Sequence, residues 1–390
     1  MSCTNPTTPE HKETETPAPP LDSLEPGLEE LLSSKLLNAS FDGNSQLVSQ
    51  LLKQGADVFC GDETGRTPLH FAAASGDIQT MKLILDAGLP WNVLDQGSYT
   101  AGDYALQTAK STSAYNYLVD FGYQTELVFK TTADNTNNSS RIPISNTTQP
   151  LPTTQISKPS QDSPSNSIPN EDYLNSSITY QGDRLIDSLN NGVMMEWEEP
   201  IMEHHAKAIS HKPSPKVLNI GFGMGIIDSK LQNFNPSLHV IVEAHPDVYK
   251  YMLDNKWHQK PNVKILFGRW QDCIQQIIDL GPFDGIFFDT FGEFYADLLH
   301  FHKVIFSKSY HILASDGVYS FFNGLGGDSL LFHDVYCKVA KYDLTHLNVN
   351  TVYAPITVDL DSINEKTWEN IRRPYWMLQQ YNLPICTWSS

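Results

Sequence analysis

The chain has 390 residues, with 26 basic against 45 acidic side chains and a formal net charge of −19. That length exceeds one ordinary domain, so at least two are expected. The acidic excess argues against direct binding of nucleic acid, whose phosphates need Lys and Arg, and favours cationic proteins or arginine-bearing peptides as partners. No stretch approaches the ~18 apolar residues of a membrane span, and no basic-then-apolar leader opens the sequence, so no membrane attachment is expected. Cys3, Cys60, Cys273, Cys337 and Cys386 are scattered without a CxxC pair. Neither a zinc site nor a disulfide framework is indicated, and a reducing cytoplasm or nucleus is the expected location.

Residues 1–27 are rich in Thr, Pro and Glu and are predicted to be a disordered tail. Apolar periodicity then runs over 28–129. The pairs Gly43/Gly76, Gly55/Gly88 and Thr67/Thr100 are each 33 residues apart, a period belonging to stacked helical repeats. Thr67-Pro68-Leu69-His70-Phe71-Ala72, with Leu51-Leu52-Lys53-Gln54-Gly55 and Leu83-Ile84-Leu85-Asp86-Ala87-Gly88 around it, resembles the ankyrin family; a third copy at Thr100-Ala101-Gly102-Asp103-Tyr104-Ala105 is degraded. The resemblance implies two to three repeats, an all-α unit offering a surface to another protein, with His70 as an inter-repeat hydrogen bonder rather than a catalyst. Residues 130–172, dominated by Thr, Ser, Asn, Gln and Pro, are predicted to be a disordered linker.

Residues 173–390 alternate strand, turn and helix. Short apolar runs at 217–220, 239–244, 263–267, 283–289 and 318–322 are predicted strands of a doubly wound α/β sheet. The first leads into Gly221-Phe222-Gly223-Met224-Gly225, a turn whose backbone can approach a ligand closely. A dinucleotide fingerprint needs glycine at 226, which is Ile226; glycines at alternate positions suit an S-adenosylmethionine loop better. Glu243, 18 residues past Gly225, ends the second strand, where a carboxylate can accept both ribose hydroxyls; a plain surface acid is the alternative. Gly268-Arg269-Trp270-Gln271 follows the third strand, where an adenine ring would lie, and Trp270 is either its wall or core. Asp289 ends an apolar strand, costly for a carboxylate without a task.

Val193-Met194-Met195-Glu196-Trp197-Glu198-Glu199-Pro200-Ile201-Met202, Val217 to Met224, and Phe283-Asp284-Gly285-Ile286-Phe287-Phe288-Asp289-Thr290 resemble guanidinoacetate N-methyltransferase, and Tyr375 to Cys386 resembles that family's last strand. Ankyrin repeats ahead of such a domain are the arrangement of the protein arginine N-methyltransferase 2 family. The resemblance implies a class I (Rossmann-like) methyltransferase domain with a seven-stranded, mostly parallel sheet. It also implies S-adenosyl-L-methionine as cofactor and methylation of the internal (δ) nitrogen of arginine in a protein, a ribosomal one by analogy. Glu198 and Asp289 would hold the guanidinium. The expected cofactor contacts are Met202, Gly221, Phe222, Gly223, Met224, Gly225, Glu243, Ala244, Gly268, Arg269, Trp270, Gln271 and Asp289. Asn219 and Gln271 depart from acidic residues usual in guanidinoacetate methyltransferases.

Two carboxylates suit this chemistry. A guanidinium, with a pKa above ~12, lacks a free lone pair. Paired carboxylates can draw its charge onto two nitrogens and leave the third to attack, with Asp289 accepting the departing proton. From spacing alone, Glu198 reads more readily as an exposed helix acid in a charged trio with Glu196 and Glu199, and only the resemblance favours a catalytic role. The glycines of Asn323-Gly324-Leu325-Gly326-Gly327 either leave room for a peptide acceptor or serve a tight turn. His204, His205, His300 and His302 lack companion carboxylates, so no metal is expected. Two alternatives stand beside the main reading: a small-molecule guanidinoacetate methyltransferase, and a non-catalytic ankyrin adaptor.

Overall fold

The computed structural model describes residues 27–138, 171–291, 295–363 and 366–389. They form two compact units that divide between Gly122 and Tyr123. The expected tail before Gly27 and most of the expected linker, 139–170, lie outside the described residues.

In the first unit the 33-residue period is a period of helix pairs. These are α1 (Leu28–Phe41) with α2 (Ser45–Lys53), α3 (Pro68–Ser75) with α4 (Ile78–Asp86), and α5 (Ala101–Gln107) with the start of α6 (Thr112–Asn138). Pro68 opens α3, where a missing N–H costs nothing. The Thr67 N–H donates to His70 Nδ1 at 3.0 Å, so the ring proton sits on Nε2 and is donated to the Tyr99 carbonyl of the next repeat at 3.2 Å. Burial pushes the His70 pKa down, in keeping with a neutral ring. The degraded third copy keeps this cap with aspartate in the histidine's place: Asp103 Oδ2 accepts from the Thr100 N–H and hydroxyl, each at 2.7 Å.

The expected domain edge at 129 needs correction. Helix α6 continues to Asn138 through residues assigned to the linker, and Lys130 forms an ion pair with Asp343. No glycine or proline intervenes before Pro143, and extending a helix already nucleated is easy even without apolar periodicity. The linker's other edge also shifts, because α7 (Glu171–Asn175) begins before 173.

In the second unit, β1 (Ile178–Gln181), β2 (Arg184–Asp187) and β3 (Gly192–Met195) form a small antiparallel sheet. A helical turn, Glu196–Glu198, enters α8 (Glu199–Ile209). The chain then alternates through β4 (Lys216–Ile220), α9 (Ile226–Gln232), β5 (Leu238–Glu243), α10 (Pro246–Asp254), β6 (Val263–Phe267), α11 (Ile274–Leu280), β7 (Phe283–Phe288), α12 (Tyr295–Ile305), β8 (Leu313–Phe321) and α13 (Leu330–His346). It ends in β9 (Val349–Thr357) and β10 (Gln380–Trp388). The seven strands lie in the order β6-β5-β4-β7-β8-β10-β9. The first five are parallel, and β10 runs antiparallel to both its neighbours. This is the α/β architecture the sequence implies, behind an all-helical first unit.

Both faces of the sheet are covered, which explains the unbroken apolar strands. Leu218, Ile220, Val242 and Phe288 pack on one side, and Val217, Ile241 and Phe287 on the other. On the second side α8 comes so close to β7 that a Cβ at Gly285 would lie 2.3 Å from the Ile209 carbonyl oxygen. His205, buried on α8, bonds Ser320 Oγ (2.7 Å) and Tyr381 Oη (2.8 Å), tying the helix to β8 and β10. Strand order reverses at β4: β5 and β6 lie to one side of it, β7 and β8 to the other. The carboxyl ends of β4, β5 and β7 therefore meet at the switch point where such sheets bind ligands.

Gly285→Ala is expected to destabilise the protein by ~2 kcal/mol or more, because helix and strand must separate to admit the methyl group. Urea unfolding checks this, and an unchanged midpoint would refute the close seating of α8.

Candidate active site

A cavity of about 670 Å³ opens at these strand ends. Its floor is the turn after β4. Gly221 has φ +94°, its N–H donates to the Val242 carbonyl at 2.8 Å, and a Cβ there would stand 1.8 Å from the Asp289 carbonyl oxygen. Only glycine lets β4 and β7 release their chain ends so close together. Gly223 (φ +55°) lies under the small sheet, where a Cβ would meet Met194 Sδ at 2.8 Å. The Met224 N–H donates to that sulfur at 3.2 Å, and the Tyr180 hydroxyl donates to the Gly223 carbonyl at 2.9 Å. Beneath the turn, Asn219 Nδ2 donates to the Gly221 carbonyl (2.8 Å) and to both oxygens of buried Asp228 (2.9 Å each). Asp228 also meets His239 Nε2 at 3.0 Å. The acid that Asn219 lacks stands on α9 instead and stiffens the turn from below.

Glu243, at the end of β5, is buried. Its Oε2 accepts from the Phe222 N–H at 2.8 Å and its Oε1 from the His245 N–H at 2.7 Å. Burial raises its pKa, and these backbone donors oppose the rise. One carboxylate thus clamps the glycine turn while lining the cavity.

Glu198 and Asp289 line the same cavity. Glu198 ends the helical turn before α8 and is 2% exposed. Its Oε1 accepts from the Met195 N–H at 2.9 Å and the Tyr375 hydroxyl at 2.5 Å. Asp289 is fixed by its own N–H, which donates to the Ile220 carbonyl at 2.9 Å. Burial and then the charge of Asp289 push Glu198 up to about 8, against the pull of the Tyr375 and Met195 donors. Burial alone pushes Asp289 up to about 7. Among the described residues no cation is paired with either acid, so the site favours a positive ligand that would let both ionise.

The cavity also gathers Ala244, Gly268, Arg269, Trp270 and Gln271 from the expected cofactor set. Trp270 shares both readings: it is mostly core, edge-on to Phe301 at 5.0 Å, with a part on the cavity wall. Arg269 is bound to Asp272 at 2.9 Å. Four expected contacts stand apart from the lining. Met202 and Phe222 are fully buried in the core under the sheet; Met224 and Gly225 close the turn where it enters α9, and a Cβ at Gly225 would strike the Phe222 ring. Met202 lies one turn before His205 and Ala206 and two before Ile209, so it shares α8's buried packing side. Gly326 and Gly327 line the cavity, yet they are first demanded by packing: a Cβ at Gly326 would lie 2.6 Å from the His333 nitrogen, and at Gly327 2.5 Å from the Tyr375 carbonyl oxygen. The sequence reading missed Tyr173, Met194 and Tyr375 as wall residues. The aromatic-rich run before β10 was the available signal for Tyr375.

Residues 170–350 match the guanidinoacetate N-methyltransferase family, and 36–127 match ankyrin repeats in three copies. The protein arginine N-methyltransferase 2 of Emericella nidulans is 36% identical, over 83% of this chain and 88% of that protein. The proteins of that name from Saccharomyces cerevisiae (33%, 83% of each chain) and Yarrowia lipolytica (43%, 55% of this chain and 47% of that one) are also similar. The chain belongs to the protein arginine N-methyltransferase 2 family. It is a methyltransferase, and its ankyrin repeats precede the domain that matches the guanidinoacetate N-methyltransferase family. The histidines serve structure here: His205 as above, and His302 through a 3.0 Å bond to the Tyr319 hydroxyl.

The raised pKa values carry a stability consequence. Unfolding lets Glu198 and Asp289 ionise at their ordinary pKa, so the folded methyltransferase binds more protons and loses stability as pH rises from ~4 to about 8. Glu198→Gln should unfold like the parent near pH ~4 and outlast it at pH ~8.5, by on the order of 2 kcal/mol. Parallel thermal or urea unfolding curves at both pH values would contradict the buried, self-repelling pair.

Proposed function

We propose that this methyltransferase transfers the methyl group of S-adenosyl-L-methionine to the internal (δ) nitrogen of an arginine in a protein acceptor. The observation that carries the reading is that buried Glu198 and part-buried Asp289 line one cavity, with no described cation to balance them. A planar guanidinium answers that need through paired N–H donors. The residues also fit the cofactor. Gly221 and Gly223 keep the wall beside β4 free of side chains, and Glu243 has unused lone pairs for ribose hydroxyls. Bound there, the cofactor supplies an electrophilic methyl group on a sulfonium sulfur.

The protein's own contribution is orientation and charge. Glu198 Oε1 already accepts two hydrogen bonds, which leaves Oε2 for the acceptor. Carboxylates on the two terminal nitrogens draw positive charge toward themselves and raise the electron density of the internal one. Asp289, half ionised near pH 7 before the acceptor arrives, is placed to take the proton that the methylated nitrogen sheds. The relatives' name supports a protein acceptor, and the ankyrin helix pairs supply a surface for one. We take that acceptor to be a ribosomal protein, met in the cytoplasm or nucleus. A basic protein of this kind would be steered by the net charge of −19.

Incubation with labelled cofactor, basic ribosomal proteins and guanidinoacetate, followed by fragmentation mass spectrometry, should place the methyl on the internal arginine nitrogen. Label confined to guanidinoacetate, or found on a terminal nitrogen, overturns the proposal. Asp289→Asn should lower turnover by about 100-fold or more while cofactor affinity changes little; full activity would remove Asp289 from the chemistry.

A further inference from the structure

We propose that Tyr375 is a positioning residue for methyl transfer: its hydroxyl occupies Oε1 of Glu198 and so presents Oε2 to the acceptor guanidinium. The inference rests on the reading of Glu198 as a guanidinium-holding carboxylate. Tyr375 comes from the far end of the chain, 177 positions beyond Glu198. The fold is shaped to receive it. A Cβ at Gly192 would come within 2.9 Å of the phenol ring, so glycine there opens its seat. Trp197 and Trp368 hold the ring from the sides, at centroid distances of 5.7 and 5.1 Å. The segment carrying it is strapped to the small sheet by Arg184, whose guanidinium donates to the Glu369 and Lys366 carbonyls at 3.0 and 3.3 Å. The Arg372 N–H adds a bond to the Asn190 carbonyl at 2.8 Å.

Without the phenol, Oε1 keeps only the Met195 N–H, and the carboxylate is free to exchange which oxygen faces the cavity. The groups facing Glu198 are Asp289 from the end of β7, Tyr381 from β10 and Tyr375 itself, while Glu243, Asp328, Arg372 and Arg373 line the same cavity. Asp289 and burial favour the protonated acid, and the Tyr375 hydroxyl favours the carboxylate. Removing the hydroxyl therefore moves Glu198 ionisation to higher pH.

The test is calorimetric titration of methylguanidinium into the full chain from about pH 6 to about pH 9. For the parent, affinity should rise as the pair sheds its proton. For Tyr375→Phe the midpoint should move up by about one pH unit, with the high-pH affinity within about threefold of the parent. A midpoint that stays put, or a uniformly lowered curve, makes Tyr375 mere wall and overturns the proposal. Gly192→Ala, which crowds the phenol without deleting it, should produce the same displacement and serves if Tyr375→Phe does not fold. Glu198→Gln separates the two ideas. If it binds methylguanidinium like the parent, the carboxylate pair itself is misread; if it loses binding about tenfold or more while Tyr375→Phe matches the parent, only the role of Tyr375 fails.

Discussion

Two acids lining one cavity, Glu198 buried and Asp289 part-buried, with no counter-cation among the described residues, form the constraint around which the catalytic unit is organised. The charge of Asp289 opposes the ionisation of Glu198, and burial opposes that of both. The surrounding structure must over-determine them, and it does so from opposite ends of the fold. Asp289 is fixed by the end of β7 against β4, where Gly221 permits main chains to touch. Glu198 is fixed by a helical turn and a tyrosine from the chain's last quarter. The interior that pays for this is the double-sided sheet, whose apolar faces supply the stability that the acids remove.

The supporting parts differ in stiffness. One side of the cavity rests on parallel strands and on a turn buttressed by Asn219, Asp228 and Glu243. Another is built from the small antiparallel sheet and the segment before β10, which meet through Arg184, Gly192 and Tyr375. Strand ends are a rigid platform, and loop-borne residues joined by carbonyl and phenol bonds are easier to retune.

Much of this was legible in the sequence, for identifiable reasons. Strands β4 to β7 are apolar runs because both sheet faces are covered, and the glycine turn follows a strand as it must. The helical repeats declare themselves by their 33-residue period. Less was legible where contacts are long-range or the elements short. β1 to β3 have four residues each and mixed composition, too little for a period. Met202 belongs to the right motif, yet helix geometry turns it into the core. The end of α6 was hidden because a helix does not need apolar periodicity in its last turns.

Four acids in or beneath the cavity, Asp228, Glu243, Glu198 and Asp289, differ in what the protein already gives them. Asp228 takes two contacts from Asn219 and one from His239, so its oxygens are occupied within the fold. Glu243 has one backbone N–H on each oxygen and retains some accepting capacity, as suits a group that would bind neutral hydroxyls. Glu198 has both donors on one oxygen and the other bare. Asp289 has no side-chain donor to account for in its raised pKa. Internal satisfaction falls along this series as the demand for an outside cation rises. An acid hydrogen-bonded on one oxygen or none, and sharing a cavity with its like, is disfavoured as a carboxylate until a cation arrives, and one cation can relieve the penalty for both.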